Sequence, residues 1–190
     1  MMKSVIRFLA LVLLMVFTSC QSKEYFFFPT FSGSFDFDLH QQVSVVYLEN
    51  KISFSAVNDS LLNSLEDGLL ESVDVEGFCF DCTISERNEV DSAYLDVYIA
   101  DQEGNNLVMF EDVFLDTDVL EPGVNYPLYD YLNSDGVLEL KSVLSSLQED
   151  PEREILFVLG GRVFPPDSYA AMEIGVHFKV NMKVSASGFR

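Results

Sequence analysis

The sequence predicts an all-β protein, an antiparallel β-sandwich carrying one or two short helices. Three observations point there. Strict apolar–polar alternation recurs along the chain, the longest stretch covering thirteen residues at 172–184. Clusters of turn-forming residues separate these stretches at short intervals. Leucines at helical spacing occur only twice, and briefly each time, which fits a sandwich of short-looped strands.

In chain order, the aromatic cluster "YFFFPTF" at 25–31 is expected to be a first strand in preference to an anchor lying in a membrane interface. "FDFDLH" follows, with Phe35, Phe37 and Leu39 on one face and Asp36, Asp38 and His40 on the other, the mark of a half-buried strand. "VSVVYL" and "KISFSAV" read as two strands joined by a hairpin turn at Glu49 and Asn50. In "SLLNSLEDGLL", Leu61, Leu62, Leu65 and Leu69 stand at helical spacing behind Asp59 or Ser60 as a cap, predicting a short crossing helix. In "VDVEGFCFDCTI" the apolar parity slips from Val73 and Val75 to Phe78, Phe80, Cys82 and Ile84, so a β-bulge is expected near Gly77.

"AYLDVYIA" places Ala93, Leu95, Val97 and Ile99 on one side, and "DQEGNN" turns the chain into "LVMFEDVFL". The stretch from Asp116 to Gly136 reads as loop, ahead of a second short helix bearing Leu140, Val143, Leu144 and Leu147. "EILFVLGGRVF" is an apolar strand whose glycines relieve crowding. After a "PPDS" turn, Met172, Ile174, Val176, Phe178, Val180, Met182 and Val184 alternate with polar residues. That strand is about 43 Å long at ~3.3 Å per residue.

The start of the chain has a different character. Lys3 and Arg7 precede the apolar run "FLALVLLMVF", and twelve residues separate Arg7 from Cys20. That is short of the roughly 20 helical residues a bilayer core requires, and the pattern is that of a secretory signal. Thr18 and Ser19 are small, and Cys20 follows them. This segment resembles the signal peptide of bacterial lipoproteins, with Phe17 and Thr18 where the family commonly has Leu and Ala or Ser. The resemblance implies cleavage between Ser19 and Cys20, diacylglycerol on the Cys20 sulfur and further acylation, for example with palmitate. Gln21 in place of aspartate leans toward the outer membrane. Two or more acyl chains hold a protein stably on a membrane, each buried methylene contributing about 0.8 kcal/mol. The expected organisation is a signal peptide at 1–19, a lipid-anchored tether with a candidate first strand at 20–34, and one sandwich domain at 35–190.

The chain carries 31 acids against 11 Lys plus Arg. Without Lys3 and Arg7 the balance is 9 − 31 = −22, a field that repels phosphate backbones and anionic lipid and so argues against nucleic-acid partners and against lying flat on the membrane. Hydrophobic residues make up 48% of the chain, enough for a core and contrary to disorder.

Candidate chemistry is sparse. Cys79 and Cys82 form the only CxxC, "CFDC". In an extended strand such a pair points to opposite faces at about 10 Å, beyond the ~7 Å a disulfide spans, so two unbridged thiols are expected unless a turn breaks the strand. A structural disulfide is the alternative in an oxidising compartment, with redox or metal chemistry behind it. Zinc finds one CxxC and two isolated histidines, a poor set. Calcium could draw on Asp116 with Asp118, or Asp130 with Asp135, although neither pair follows the EF-hand pattern and a solvated acidic loop explains both. Any Ser–His–Asp set would have to use His40 or His177, both on outward strand faces, and no GxSxG or HExxH occurs.

The expected function is that of a non-enzymatic binding or structural module, displayed on a membrane through its N-terminal lipid and engaging an envelope protein. A hydrolase using paired carboxylates is the alternative from another class. The lipobox with a β-rich body is also similar to the lipoprotein pilins of Bacteroidota, which implies a small pilin-like surface subunit.

Overall fold

The computed structural model describes residues 23–53, 68–101, 103–146, 149–150 and 153–188. Its strands are β1 (Lys23–Phe27), β2 (Thr30–Val43), β3 (Val45–Ser53), β4 (Gly68–Ile84), β5 (Ser92–Ala100), β6 (Asn106–Asp116), β7 (Tyr126–Pro127), β8 (Glu154–Phe164) and β9 (Ser168–Gly188). A 3-10 turn at Tyr129–Tyr131 and helix α1 (Ser134–Ser145) lie between β7 and β8. The larger sheet has the order β2-β9-β4-β7, with β1 pairing the far end of β9; the smaller has the order β3-β8-β5-β6. All pairings are antiparallel. Two four-strand sheets in this order make a double-sheet jelly roll, a specific form of the predicted β-sandwich.

The chain changes sheet four times at one corner: at Ser44, at 85–91, at 117–125 and at 165–167. Short polar residues make these crossings because the turning backbone cannot bond to a strand neighbour. Ser44 Oγ donates to the Asp167 carboxylate and accepts from Asp167 N. The Asn88 amide donates to Val90 O and accepts from Ala171 N, and Thr117 Oγ1 donates to Val90 O at 2.7 Å.

Between the sheets lies the core the alternation foretold. Phe35, Phe37 and Leu39 are buried, as are Ala93, Leu95, Val97 and Ile99, and all seven apolar residues from Met172 to Val184. Aromatic rings bridge the two layers. Phe35 of β2 stacks on Phe157 of β8 at 3.9 Å, and Phe78 of β4 meets Phe110 of β6 edge-on at 5.0 Å. Gly33 faces Phe178 across the β2–β9 pair, and any Cβ there would strike that ring. Helix α1 closes the sandwich alongside β6 and β4, burying Leu140, Val143 and Leu144, with Asn133 accepting from Asp135 N as its cap. Leu147 lies outside the described residues.

The expected bulge is present: the β4–β9 register shifts between Val75 and Gly77, with a second shift between Leu70 and Ser72. The glycines of β8 have the anticipated reason at Gly161, where a Cβ would collide with Tyr94 O and φ is +149°. Two expectations are corrected. Glu49 and Asn50 make no hairpin, because β3 runs straight through them, paired residue for residue with β8. Asn50 keeps the parity of Val46 and Leu48, and its amide donates to Asp36 O on β2, so long-range pairing overrides local turn preference. Strand β9 also extends four residues earlier and four later than its alternating stretch. The first expected helix falls at positions outside the described residues except for Leu69, which belongs to β4. No helix among the described residues is long and apolar enough to cross a membrane.

Because Phe35 and Phe157 join the layers at their centre, Phe35→Ala should lower unfolding free energy by about 3–5 kcal/mol in urea titration. Leu138→Ala, on the exposed face of α1, should change it by no more than about 0.5 kcal/mol.

Candidate functional site

The outward face of the larger sheet gathers the chain's chemically capable side chains. Register sets three transverse rows across β2, β9 and β4: Ser34, His177 and Cys79; Asp36, Gly175 and Asp81; Asp38, Glu173 and Thr83. Gly175 leaves the middle row open. The space a Cβ would fill there lies 2.5 Å from Asp81 Oδ1, 3.1 Å from Asp36 Oδ1 and 3.2 Å from His177 Nε2. His177 Nε2 is shielded from solvent without a hydrogen bond, although Asp81 Oδ2 stands 3.5 Å away. These groups line a shallow cleft of about 400 Å³ with Asp38, Thr83 and Glu173.

Next to it, Asp38 and Glu173 face each other directly across β2 and β9, a like-charge pair that is unfavourable on a sheet. His40 Nε2 lies 2.8 Å from Asp38 Oδ1. Among the described residues, Asp38, His40 and Glu173 are the one group of three metal-capable side chains whose ligand atoms all lie within 4.8 Å of one another. One imidazole and two carboxylates suit a borderline divalent ion, and their exposure to solvent makes for weak holding. Toward the far end of the same face the acids have partners: Lys179 pairs with Glu76 at 2.6 Å, and Lys183 with Glu71 at 2.8 Å. These lysines hold both glutamates below the usual carboxylate range.

Cys79 and Cys82 are free thiols on opposite faces of β4, which runs unbroken through them. Cys79 faces out opposite His177, while Cys82 is packed in the core. The row of Cys79, His177 and nearby Asp81 superficially matches a thiol nucleophile with its base. Its electrostatics run the other way. Burial and then the Asp81 charge raise the Cys79 pKa, and the same two causes push Cys82 up to about 12. A nucleophilic thiol needs a depressed pKa.

The outward face of the smaller sheet is different in kind. Val45, Arg162, Tyr94 and Phe114 form one row across β3, β8, β5 and β6. The Arg162 guanidinium sits over the Tyr94 ring at 5.2 Å and near Phe164 at 6.0 Å, and Tyr94 packs on Phe114 at 5.0 Å. Val45, Phe114, Phe164 and neighbouring Tyr47 are exposed.

Of the residues singled out from sequence, Ser19 and Cys20 lie outside the described residues. His40 and His177 face outward as expected. Asp116 accepts from Asp118 N at 3.1 Å, a local turn bond. Asp130 sits in the 3-10 turn and Asp135 in the first turn of α1, and among the described residues no third metal-capable side chain joins either calcium pair. Sequence reading missed the Gly175 niche, the Asp38–Glu173 confrontation and the Arg162 row. Each depends on register between distant strands; only outward parity was readable beforehand.

No family model and no curated protein matches the chain. Among solved structures, the chain is similar to that of Desmodium yellow mottle tymovirus, at 8% identity over 86% of this chain and 90% of the other, with a TM-score of 0.33. The BFDV capsid protein as a 60-mer is 11% identical over 89% and 97%, with a TM-score of 0.36. Turnip yellow mosaic virus is 9% identical over 85% and 83%, with a TM-score of 0.30. Nothing about function follows from similarity at this level.

The raised thiols make a direct test. In the Cys20→Ala protein, Cys79 should alkylate slowly near neutral pH and faster as rising pH forms the thiolate, while Cys82 reacts only after unfolding. Asp81→Asn, by removing the nearby negative charge, should speed Cys79 severalfold at pH 8, read by mass spectrometry of the labelled peptide.

Proposed function

We propose that the protein is a non-enzymatic binding module, held on a membrane of the bacterial envelope by lipid on Cys20 and engaging a protein partner there. The observation that supports the binding role best is the Val45, Arg162, Tyr94 and Phe114 row. Tyr, Phe and Arg are the residue types that concentrate at the centres of protein interfaces, and here they are pre-stacked on a rigid sheet. Asp96 and Asp112 border this row, so it joins exposed aromatic rings and an arginine to flanking carboxylates, a mixture suited to a protein partner. The raised pKa of Cys79 argues against nucleophilic thiol chemistry in its row and bears on no other chemistry.

The hydrolase reading keeps one specific observation, the Asp36 and Asp81 carboxylates overhanging Gly175. Hydrolysis by that pair would be abolished by Asp36→Asn or Asp81→Asn, with partner engagement unaffected.

Labelled palmitate should enter the natural protein and not Cys20→Ala; incorporation by the mutant removes the anchor from the reading. A photo-crosslinking side chain at Phe114 should trap one defined envelope protein in intact cells, with Leu138 as the comparison position on α1. Equal trapping at both positions, or none at Phe114, removes the interface.

A further inference from the structure

We infer that the end of the larger sheet nearest Cys20 is a membrane-contacting tip, whose aromatic side chains enter the headgroup region of a lipid bilayer. This rests on the lipid-anchor reading above and adds to it how the domain sits on its membrane.

The tip is built by three strands. β1 pairs with the last residues of β9, Lys23 opposite Gly188 through Phe27 opposite Val184, and β4 begins on the other side of the same segment, with Leu69 opposite Ser185. Apolar side chains there are exposed on both faces of the sheet. Phe26 and Leu69 share a row with Ser185 on the outward face, whereas Phe27 shares one with Val184 on the other. Tyr25, Phe26 and Phe27 are each 42–53% exposed, and Phe28 and Leu69 reach 68%. A strand that pairs normally yet leaves three consecutive aromatic residues, and a fourth just past its end, uncovered has its apolar surface facing something other than the core. Proteins rarely leave such a contiguous patch open to water.

Three features select a lipid surface as the occupant. First, only five positions separate Tyr25 from Cys20, so acyl chains on that cysteine would keep the tip within ~17 Å of the membrane even if fully extended. The headgroup zone on one side of a bilayer is itself roughly 5–8 Å deep. Second, phenylalanine and tyrosine are among the aromatic and aliphatic side chains that settle at such interfaces. Third, Lys183 lies with its ammonium 4.2 Å from the Phe26 ring and bonded to Glu71, so the tip carries a cation among its rings. The carboxylates Asp36, Asp38 and Glu173, none of them paired with a lysine, lie further along β2 and β9, beyond the end that β1 covers. A chain of net charge −20 thereby meets a lipid surface through an end where the acid Glu71 is paired with Lys183.

The chain has no tryptophan, which makes a single reporter straightforward. The protein from residue 20 onward, carrying Cys79→Ser and Phe28→Trp, is coupled through Cys20 to a maleimide headgroup in phosphatidylcholine vesicles. This linkage supplies the tether whether or not the natural protein is lipidated. Failure of the tip is therefore distinct from failure of palmitate labelling, which would sink the anchor alone. Emission from Phe28→Trp should shift to the blue and be quenched by bromines on the upper acyl carbons. Tyr47→Trp, on the smaller sheet, should show neither effect. Overturning results are an unquenched Phe28→Trp, equal quenching of Tyr47→Trp, or a shift that grows with protein density while bromines do nothing. The last result would assign the tip to a second copy of the chain.

Discussion

Strand β9 is the constraint on which the rest depends. It is bonded along both edges, to β1 and β2 on one side and β4 on the other, so its 21 residues fix the register of three other strands. Its inward residues form the floor of the core, and its outward residues set the spacing of every side chain on the larger face. A slip of one position would send Met172, Ile174 and Val176 into water and Glu173 and His177 into the core, so burial on one face enforces the geometry on the other.

The corner where four of the sheet crossings meet makes that register affordable to a chain with long-range pairings. Ser44, Asn88, Thr117 and Asp167 satisfy turning backbone with side-chain bonds. The larger sheet therefore bends into the smaller one without leaving buried polar groups unmatched. With these four crossings gathered at one corner and β1 at the far end of the larger sheet, aromatic residues near the chain's start come to lie far from those turns. The proposed membrane contact and the proposed partner row thus occupy separate parts of one rigid body, the first at the tip of the larger sheet and the second across the smaller.

The two outward faces differ in how their charges are placed. On the larger face, acids with lysine partners stand toward the tip, and acids without them stand toward the corner, around Gly175. A bare glycine between Asp36 and Asp81 leaves room that a side chain would otherwise occupy, and burial, followed by the Asp81 charge, raises the neighbouring Cys79 thiol. On the smaller face, Arg162 lies over aromatic rings, where a planar cation loses little by partial desolvation. The surface that resembles a catalytic constellation by residue type is thus poorly set for thiol chemistry, and the surface without any such motif has the composition of an interface.

The sequence by itself determined the all-β class, most strand positions, the bulge beside Gly77, the second helix and the outward parity of Asp38, His40, Glu173 and His177. Alternation with a period of two is a local property, and burial of one face enforces it residue by residue. The basic start, apolar run and Cys20 are linear features as well, and the lipid anchor proposed from them rests on sequence alone. Tertiary structure alone decided that Glu49 and Asn50 continue a strand, since their pairing with Val158 and Phe157 across about a hundred residues outweighs their preference for a turn. It alone placed Asp38 against Glu173, Cys79 against His177 and Arg162 over Tyr94. Which outward residue meets which is set by register between strands far apart in the chain, and no single strand's pattern contains that information.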